Sequence, residues 1–357
     1  MTTIWPRFLN KLSQAQKEIA LTKKGFRFLF QFVFKKGDHL LVCGQTGSGK
    51  TQKLYFFVNW IRHTREIVIW LDSAKEDEFL PLIAMGSPVQ IICPKGCDVI
   101  LSTWSKEEKK YIKMKDHPLV TIVPDPGSTW WAIKRGYINI LCFRNAFDSS
   151  ESRLNWMGGL FETLSTWTRK KIMPHIYPFC FIGDEAQWFE PGIRVSGDAQ
   201  RKQLSELITE HSLTLRAPGG RLVFATQGYR NLPPAARENF PNNLLCRGVQ
   251  ITNDENPALS KFNRFTPYLL PEEGYFVYSD GEAYPKRRQW TFPFFEKPKI
   301  RVEYRGEFDD HNPQRIAEQE IEQEMTPDLS KYQGLAYDLM DFEIPAIISR
   351  YEVDKND

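Results

Sequence analysis

The chain has 357 residues, 41% of them apolar and 25% charged, enough apolar matter to fill a core and to exclude a disordered chain. Its net charge of +3 conceals a division near Ile300: residues 301–357 carry 6 Lys or Arg against 15 Asp or Glu (−9), the body 41 against 29 (+12). A basic body with an acidic tail suits a protein that meets a polyanion, although solubility accounts for part of such an imbalance.

Much of the basic excess lies at the front, where residues 1–36 hold eight Lys or Arg against Glu18 alone. Residues 7–24 read as a basic amphipathic helix, either an ordinary packing helix or one that lies on a partner, a membrane surface or nucleic acid. The apolar run Phe26–Phe34 stops after nine residues, short of the roughly 18 that a membrane span requires. The front also lacks the apolar core and small-residue cleavage site of a secretory signal.

From residue 39 onward, short apolar runs alternate with helix-length stretches. The runs are 39–44, 66–71, 88–93, 119–123, 138–143, 179–183 and 221–227; the helical stretches include 50–63, 151–172 and 198–215. This order predicts an α/β fold with a mostly parallel sheet. The strands lack strict alternation, as expected where helices cover both faces. Cys43, Cys142, Cys180 and Cys246 lie in such runs and read as core thiols of a cytoplasmic protein. Cys93 and Cys97 have no second pair or His cluster beside them, so "CPKGC" reads as a loop rather than a zinc site. The expected organisation is a basic extension (1–36), a central α/β domain (37–290) and an acidic tail (291–357).

The stretch "GQTGSGKT" (44–51) satisfies G-x-x-x-x-G-K-[ST] between a candidate strand and a candidate helix. In such a loop, Gly44, Gln45, Thr46, Gly47, Ser48, Gly49, Lys50, Thr51 and Gln52 surround a nucleotide's phosphates. Glycines let backbone N–H groups turn inward, and the helix adds its positive end. Lys50 reaches the β- and γ-phosphates, and the Thr51 hydroxyl binds Mg²⁺.

In "FIGDEAQWF" (181–189), a strand ends on Asp184 and Glu185, a costly place for two charges unless they serve a metal and a water. Asp184 is the Mg²⁺ carboxylate and Glu185 the residue that polarises the attacking water. The bland alternative is a pair of acids that caps the next helix. In "RLVFATQG" (221–228), Gln227 tips another strand, where a parallel sheet would bring it beside the phosphate loop. The guanine-reading N-K-x-D element is missing: the only Asn-Lys, Asn10-Lys11, is followed by Leu12 and Ser13. ATP is therefore the expected nucleotide.

The succession "GQTGSGKT", "LDSAKEDEF", "FIGDEAQWF" and "GGRLVFATQG" resembles the FtsK/HerA superfamily of P-loop ATPases, across roughly residues 37–290. The resemblance implies a RecA-like fold, catalysis through Lys50, Glu185 and Gln227, and Mg²⁺ held by Thr51 and Asp184. It further implies a ring, usually hexameric, in which an arginine crosses to the neighbouring site. Arg216 occupies the like position and Arg247 is the alternate. It implies a double-stranded DNA translocase, in its compact form a viral genome-packaging ATPase; a conjugative or plasmid-transfer motor is the rival. Capsid, portal or membrane partners would go with these roles. A nucleotide-switched assembly or scaffold protein is the alternative of another class. Candidate DNA contacts are Arg169, Lys170, Lys171, Arg201, Lys202 and Lys286–Arg288, each equally readable as solvated surface. "STWW" (128–131) is a stacking loop or buried packing. The chain departs from the family at Asp72, Lys75 and Glu76, where "DSAKE" lacks the family's glycine.

Overall fold

The computed structural model describes residues 38–62, 66–72, 78–114, 118–143, 147, 150–170, 176–186, 206, 209–210, 214–215, 219–278, 290–292 and 294–306. Among them, all seven expected strands form: β1 (Leu40–Cys43), β2 (Ile67–Asp72), β3 (Val89–Pro94), β6 (Leu119–Val123), β7 (Ile138–Cys142), β8 (Phe179–Gly183) and β9 (Gly220–Thr226). Six more accompany them: β4 (Cys97–Ser105), β5 (Lys110–Lys113), β10 (Asn242–Leu245), β11 (Glu273–Tyr278), β12 (Trp290–Thr291) and β13 (Ile300–Gly306).

The large sheet runs β12-β11-β10-β1-β9-β8-β2-β7-β3-β6. From β10 to β6 every neighbouring pair is parallel; β11 and β12 close one side in the antiparallel sense. Successive strand residues point to opposite faces, so a strand buried on both sides must be apolar throughout. Leu40 and Val42 accordingly enter one core and Leu41 and Cys43 the other. Helix α1 (Lys50–Ile61) fills the first core with Leu54, Phe57, Val58 and Ile61. Helix α4 (Ser150–Arg169) fills the second with Leu154, Met157, Leu160, Phe161 and Leu164. Of the shorter helices, α2 (Leu80–Ile83) lies on the α1 side and α3 (Pro126–Ala132) packs against α4.

The expected boundary at residue 290 falls inside the folded body. Strand β12 pairs with β11, and β13 pairs with β4 to make a three-stranded antiparallel sheet, β13-β4-β5. Phe292, Phe295 and Val302 are buried in the first core. The weak local pattern after Trp290 includes β13, whose partner lies about 200 residues upstream, a separation that local reading does not see.

All six cysteines are free and buried; Cys93 ends in β3 and Cys97 opens β4, so their connection is a turn, as expected. No metal-binding cluster occurs among the described residues. None of the described helices is long and apolar enough to cross a membrane. The helices expected at 7–24 and, for the most part, 198–215 lie outside the described residues, as does the tail from 307.

The edge of the sheet where the strands begin is closed by buried polar groups. Arg221 Nη2 donates to Glu66 Oε1 at 2.7 Å, with both side chains almost wholly buried. The Leu222 amide donates to His39 Nδ1 at 3.0 Å, and Asn242 Nδ2 donates to the His39 carbonyl at 3.1 Å. Removing one member of a buried ion pair strands the other charge, which typically costs about 3–5 kcal/mol. Arg221→Met is expected to lower stability by roughly that amount, and Arg221→Met with Glu66→Leu by clearly less, as read from urea unfolding midpoints.

Candidate functional site

Strands β1, β9 and β8 are consecutive neighbours and all point the same way, so the residues that follow them meet at one edge. Residues 44–49 leave β1, Asp184 and Glu185 leave β8, and Gln227 leaves β9 between them. The predicted phosphate loop, acid pair and strand-tip glutamine are thus brought together.

Backbone hydrogen bonds moor the loop on both sides. Gly44 N donates to Thr226 O at 3.2 Å, and Gln45 N donates to Arg247 O at 3.2 Å. At Gly44 an added Cβ would sit 2.4 Å from Ser48 Oγ. At Gly49 it would sit 2.2 Å from the Pro271 carbonyl oxygen, at a φ of +71° that side chains resist. No described side chain caps α1 and its first turn holds no acid, which leaves the leading N–H groups suited to an anion. Ser48 Oγ is buried with no hydrogen-bond partner among the described residues, and Gln45, Thr46 and Gly47 are exposed.

Lys50 is 7% exposed, and its ammonium turns back onto the loop, donating to Gly44 O at 3.0 Å and Gln45 O at 3.3 Å. Thr51 Oγ1 donates to Asp184 Oδ2 at 2.5 Å. Burial pushes the Asp184 carboxyl above the usual carboxylate range, against the pull of the Thr51 hydroxyl and the Lys50 charge. Glu185, also buried, adopts a φ of +53°, a left-handed conformation that a non-glycine residue holds only when its surroundings enforce it. Its backbone N–H donates to Asp184 Oδ1 at 2.9 Å, so the two acids organise each other. Gln227 Nε2 donates to both Glu185 oxygens, at 3.1 and 2.9 Å.

Gln52 stands at the rim, its amide engaged elsewhere: Nε2 donates to Phe295 O at 3.1 Å and Oε1 accepts from Phe295 N at 2.6 Å. Asp72 ends β2 beside β8, and the Cys142 thiol donates to its Oδ2 at 3.7 Å; Lys75 and Glu76 lie outside the described residues. Arg247 is exposed against the loop, whereas Arg216 lies outside the described residues. Among the candidate DNA contacts, Arg169 and Lys170 are exposed at the end of α4, and Lys171, Arg201, Lys202 and Lys286–Arg288 lie outside the described residues. The "STWW" pair divides: Trp130 is buried and donates through Nε1 to Leu160 O at 2.8 Å, while Trp131 is exposed beside Trp167.

Sequence reasoning overlooked Lys53. This residue is fully buried, one turn beyond Lys50, and its ammonium donates to Ser48 O (3.0 Å), Gly49 O (3.5 Å) and Pro271 O (2.6 Å). Burial lowers its pKa from the ordinary lysine value. A lysine on the apolar helix "KTQKLYFF" was the available signal. Arg237, also overlooked, lies over the Tyr229 ring at 4.8 Å, and its Nε and Nη1 find no acceptor among the described residues.

The assembled groups can bind a polyphosphate, hold a divalent cation on a hydroxyl and a carboxylate, and place a second carboxylate as a base.

No family model matches the chain, and no curated protein matches it. Solved structures do. The genome packaging NTPase B204 of Sulfolobus turreted icosahedral virus 2, in complex with AMPPCP, is 11% identical over 73% of this chain and 99% of its own, with a TM-score of 0.42. EccC (ATPases 2 and 3) of Thermomonospora curvata is 12% identical over 73% of this chain and 39% of its own, with a TM-score of 0.39. The pCW3 conjugation coupling protein TcpA is 12% identical over 73% of this chain and 62% of its own, with a TM-score of 0.36.

Replacing Lys53 by Met removes the ammonium from Ser48 O and Pro271 O, while Gly49 O keeps the Lys53 backbone N–H. Since a buried unsatisfied group costs about 1–3 kcal/mol, Lys53→Met is expected to lower stability by at least that much in urea unfolding, more than Lys53→Arg.

Proposed function

We propose that this chain is an ATP hydrolase of the FtsK/HerA type that moves double-stranded DNA, with genome packaging as the task. The observation that carries the hydrolase reading is the bond from Gln227 to both oxygens of Glu185, beside the Thr51–Asp184 pair and the phosphate loop. A nucleotide kinase has no evident use for a strained second carboxylate latched to a strand-tip amide.

The loop amides and the α1 N-terminus take the phosphates, and Lys50 exchanges its carbonyl partners for phosphate oxygens. Thr51 and Asp184 would hold Mg²⁺, which when bound supplies positive charge against the phosphate oxygens. Glu185 orients a water and takes its proton. Gln227 holds the Glu185 carboxylate in place and links its state to the turn that follows β9. Arg216 of a neighbouring copy, or Arg247, supplies charge to the transferring phosphoryl group in a ring, hexameric as the resemblance implies. DNA movement rests on the resemblance and on the basic body, whose +12 favours a polyanion without reading its sequence.

ATP turnover, measured with and without double-stranded DNA, tests this. Glu185→Gln is expected to keep nucleotide affinity and lose about 10²–10⁴-fold in turnover, the usual contribution of a general base. DNA is expected to stimulate the wild type only. Turnover indifferent to DNA would overturn the translocase and leave a nucleotide-switched assembly role; full turnover in Glu185→Gln would overturn the catalytic assignment.

A further inference from the structure

Four of the seven large hydrophobic side chains exposed among the described residues are Phe265, Tyr268, Leu270 and Phe294. They belong to two segments, and each segment is fastened to the phosphate loop or the first turn of α1. The first runs alongside the loop: Gly248 N donates to Thr266 O at 3.1 Å, and Gly248 lies against the Gln45 side chain. Five residues later, Pro271 O meets Gly49 and accepts from Lys53. The second segment is held by Gln52, whose amide pairs with both backbone groups of Phe295.

The exposure differs within this set. Phe265 is supported by Tyr275, Phe262 and Arg264. Tyr268 is 84% exposed and Phe294 69% exposed, and neither has a ring partner among the described residues. Both are tethered to the start of α1: three residues of chain keep Tyr268 within about 11 Å of Pro271, whose carbonyl meets Gly49, and Phe294 adjoins the residue that Gln52 holds. Two bare aromatic faces beside a phosphate loop are costly to leave in water and ready to stack on a flat ring.

We propose that Tyr268 and Phe294 form a stacking subsite for the nucleobase of the bound nucleoside triphosphate, with Gln52 and Lys53 as the positioning residues that fix the two segments. The proposal rests on the nucleotide reading above and extends it from the phosphates to the base. Stacking engages the face of a base rather than its edge, so the subsite takes adenine and guanine alike.

The test compares Mg-ATP, Mg-GTP and Mg-tripolyphosphate by titration calorimetry on the full chain. Tyr268→Ala and Phe294→Ala are each expected to weaken ATP and GTP about tenfold, since one stacked base–aromatic pair is worth roughly that factor, and to leave tripolyphosphate affinity unchanged. Tyr268→Phe and Phe294→Tyr are expected to retain the wild-type preference. Wild-type ATP affinity in both Ala variants would overturn the subsite, as would a parallel loss of tripolyphosphate, which would place the effect in the loop. A wild type that binds tripolyphosphate as tightly as ATP would overturn the base subsite and spare the phosphate loop. One that binds neither would overturn the nucleotide reading as well.

Discussion

Asp184 is a carboxylate at the end of a fully buried strand, and the site is arranged around the cost of keeping it there. Burial works against its charge, so the structure supplies a hydroxyl from Thr51, a backbone N–H from Glu185 and the nearby Lys50 ammonium. Each brings a chain segment with it. Thr51 fixes the start of α1 against β8, Lys50 draws on the carbonyls of its own loop, and Glu185 takes a strained backbone to reach its neighbour.

Parallel strand direction makes this convergence possible. With β9 between β1 and β8, the Gln227 amide arrives between the phosphate loop and the acid pair with no long loop to order. The opposite edge of the same sheet carries the Arg221–Glu66 pair and the His39 contacts, which satisfy polar groups where the strands begin. One edge is therefore closed and internally paired. The other is left with no side-chain cap at α1 and a buried Ser48 hydroxyl that finds no partner among the described residues.

The first turn of α1 works on two sides. Lys50 turns back onto the loop and Thr51 onto Asp184; Gln52 takes hold of the chain at residue 295, and Lys53 ties the loop carbonyls of Ser48 and Gly49 to residue 271. Residues that follow Lys50 and Thr51 thus connect the site to the far end of the folded body. Lys53 has no carboxylate in hydrogen-bond reach among the described residues; burial lowers its pKa, and the carbonyl oxygens that accept from its ammonium offset part of that cost, so its contacts matter to the loop's shape.

Much of this was legible in the sequence because it is encoded locally. Seven strands announced themselves as apolar runs, since a strand buried on both faces must be apolar at every position. That the Gly44–Thr51 loop, Asp184-Glu185 and Gln227 share one edge was legible because each follows an apolar run that reads as a parallel strand, and parallel strands end on the same side. What only the tertiary structure decided is which distant segments meet. The β13–β4 pairing, the division of "STWW" into one buried and one exposed tryptophan, the capture of Phe295 by Gln52, and the placing of Lys53 under Pro271 all join residues far apart in the chain. Such contacts depend on packing rather than on local pattern or propensity, so no short stretch of this sequence contains them.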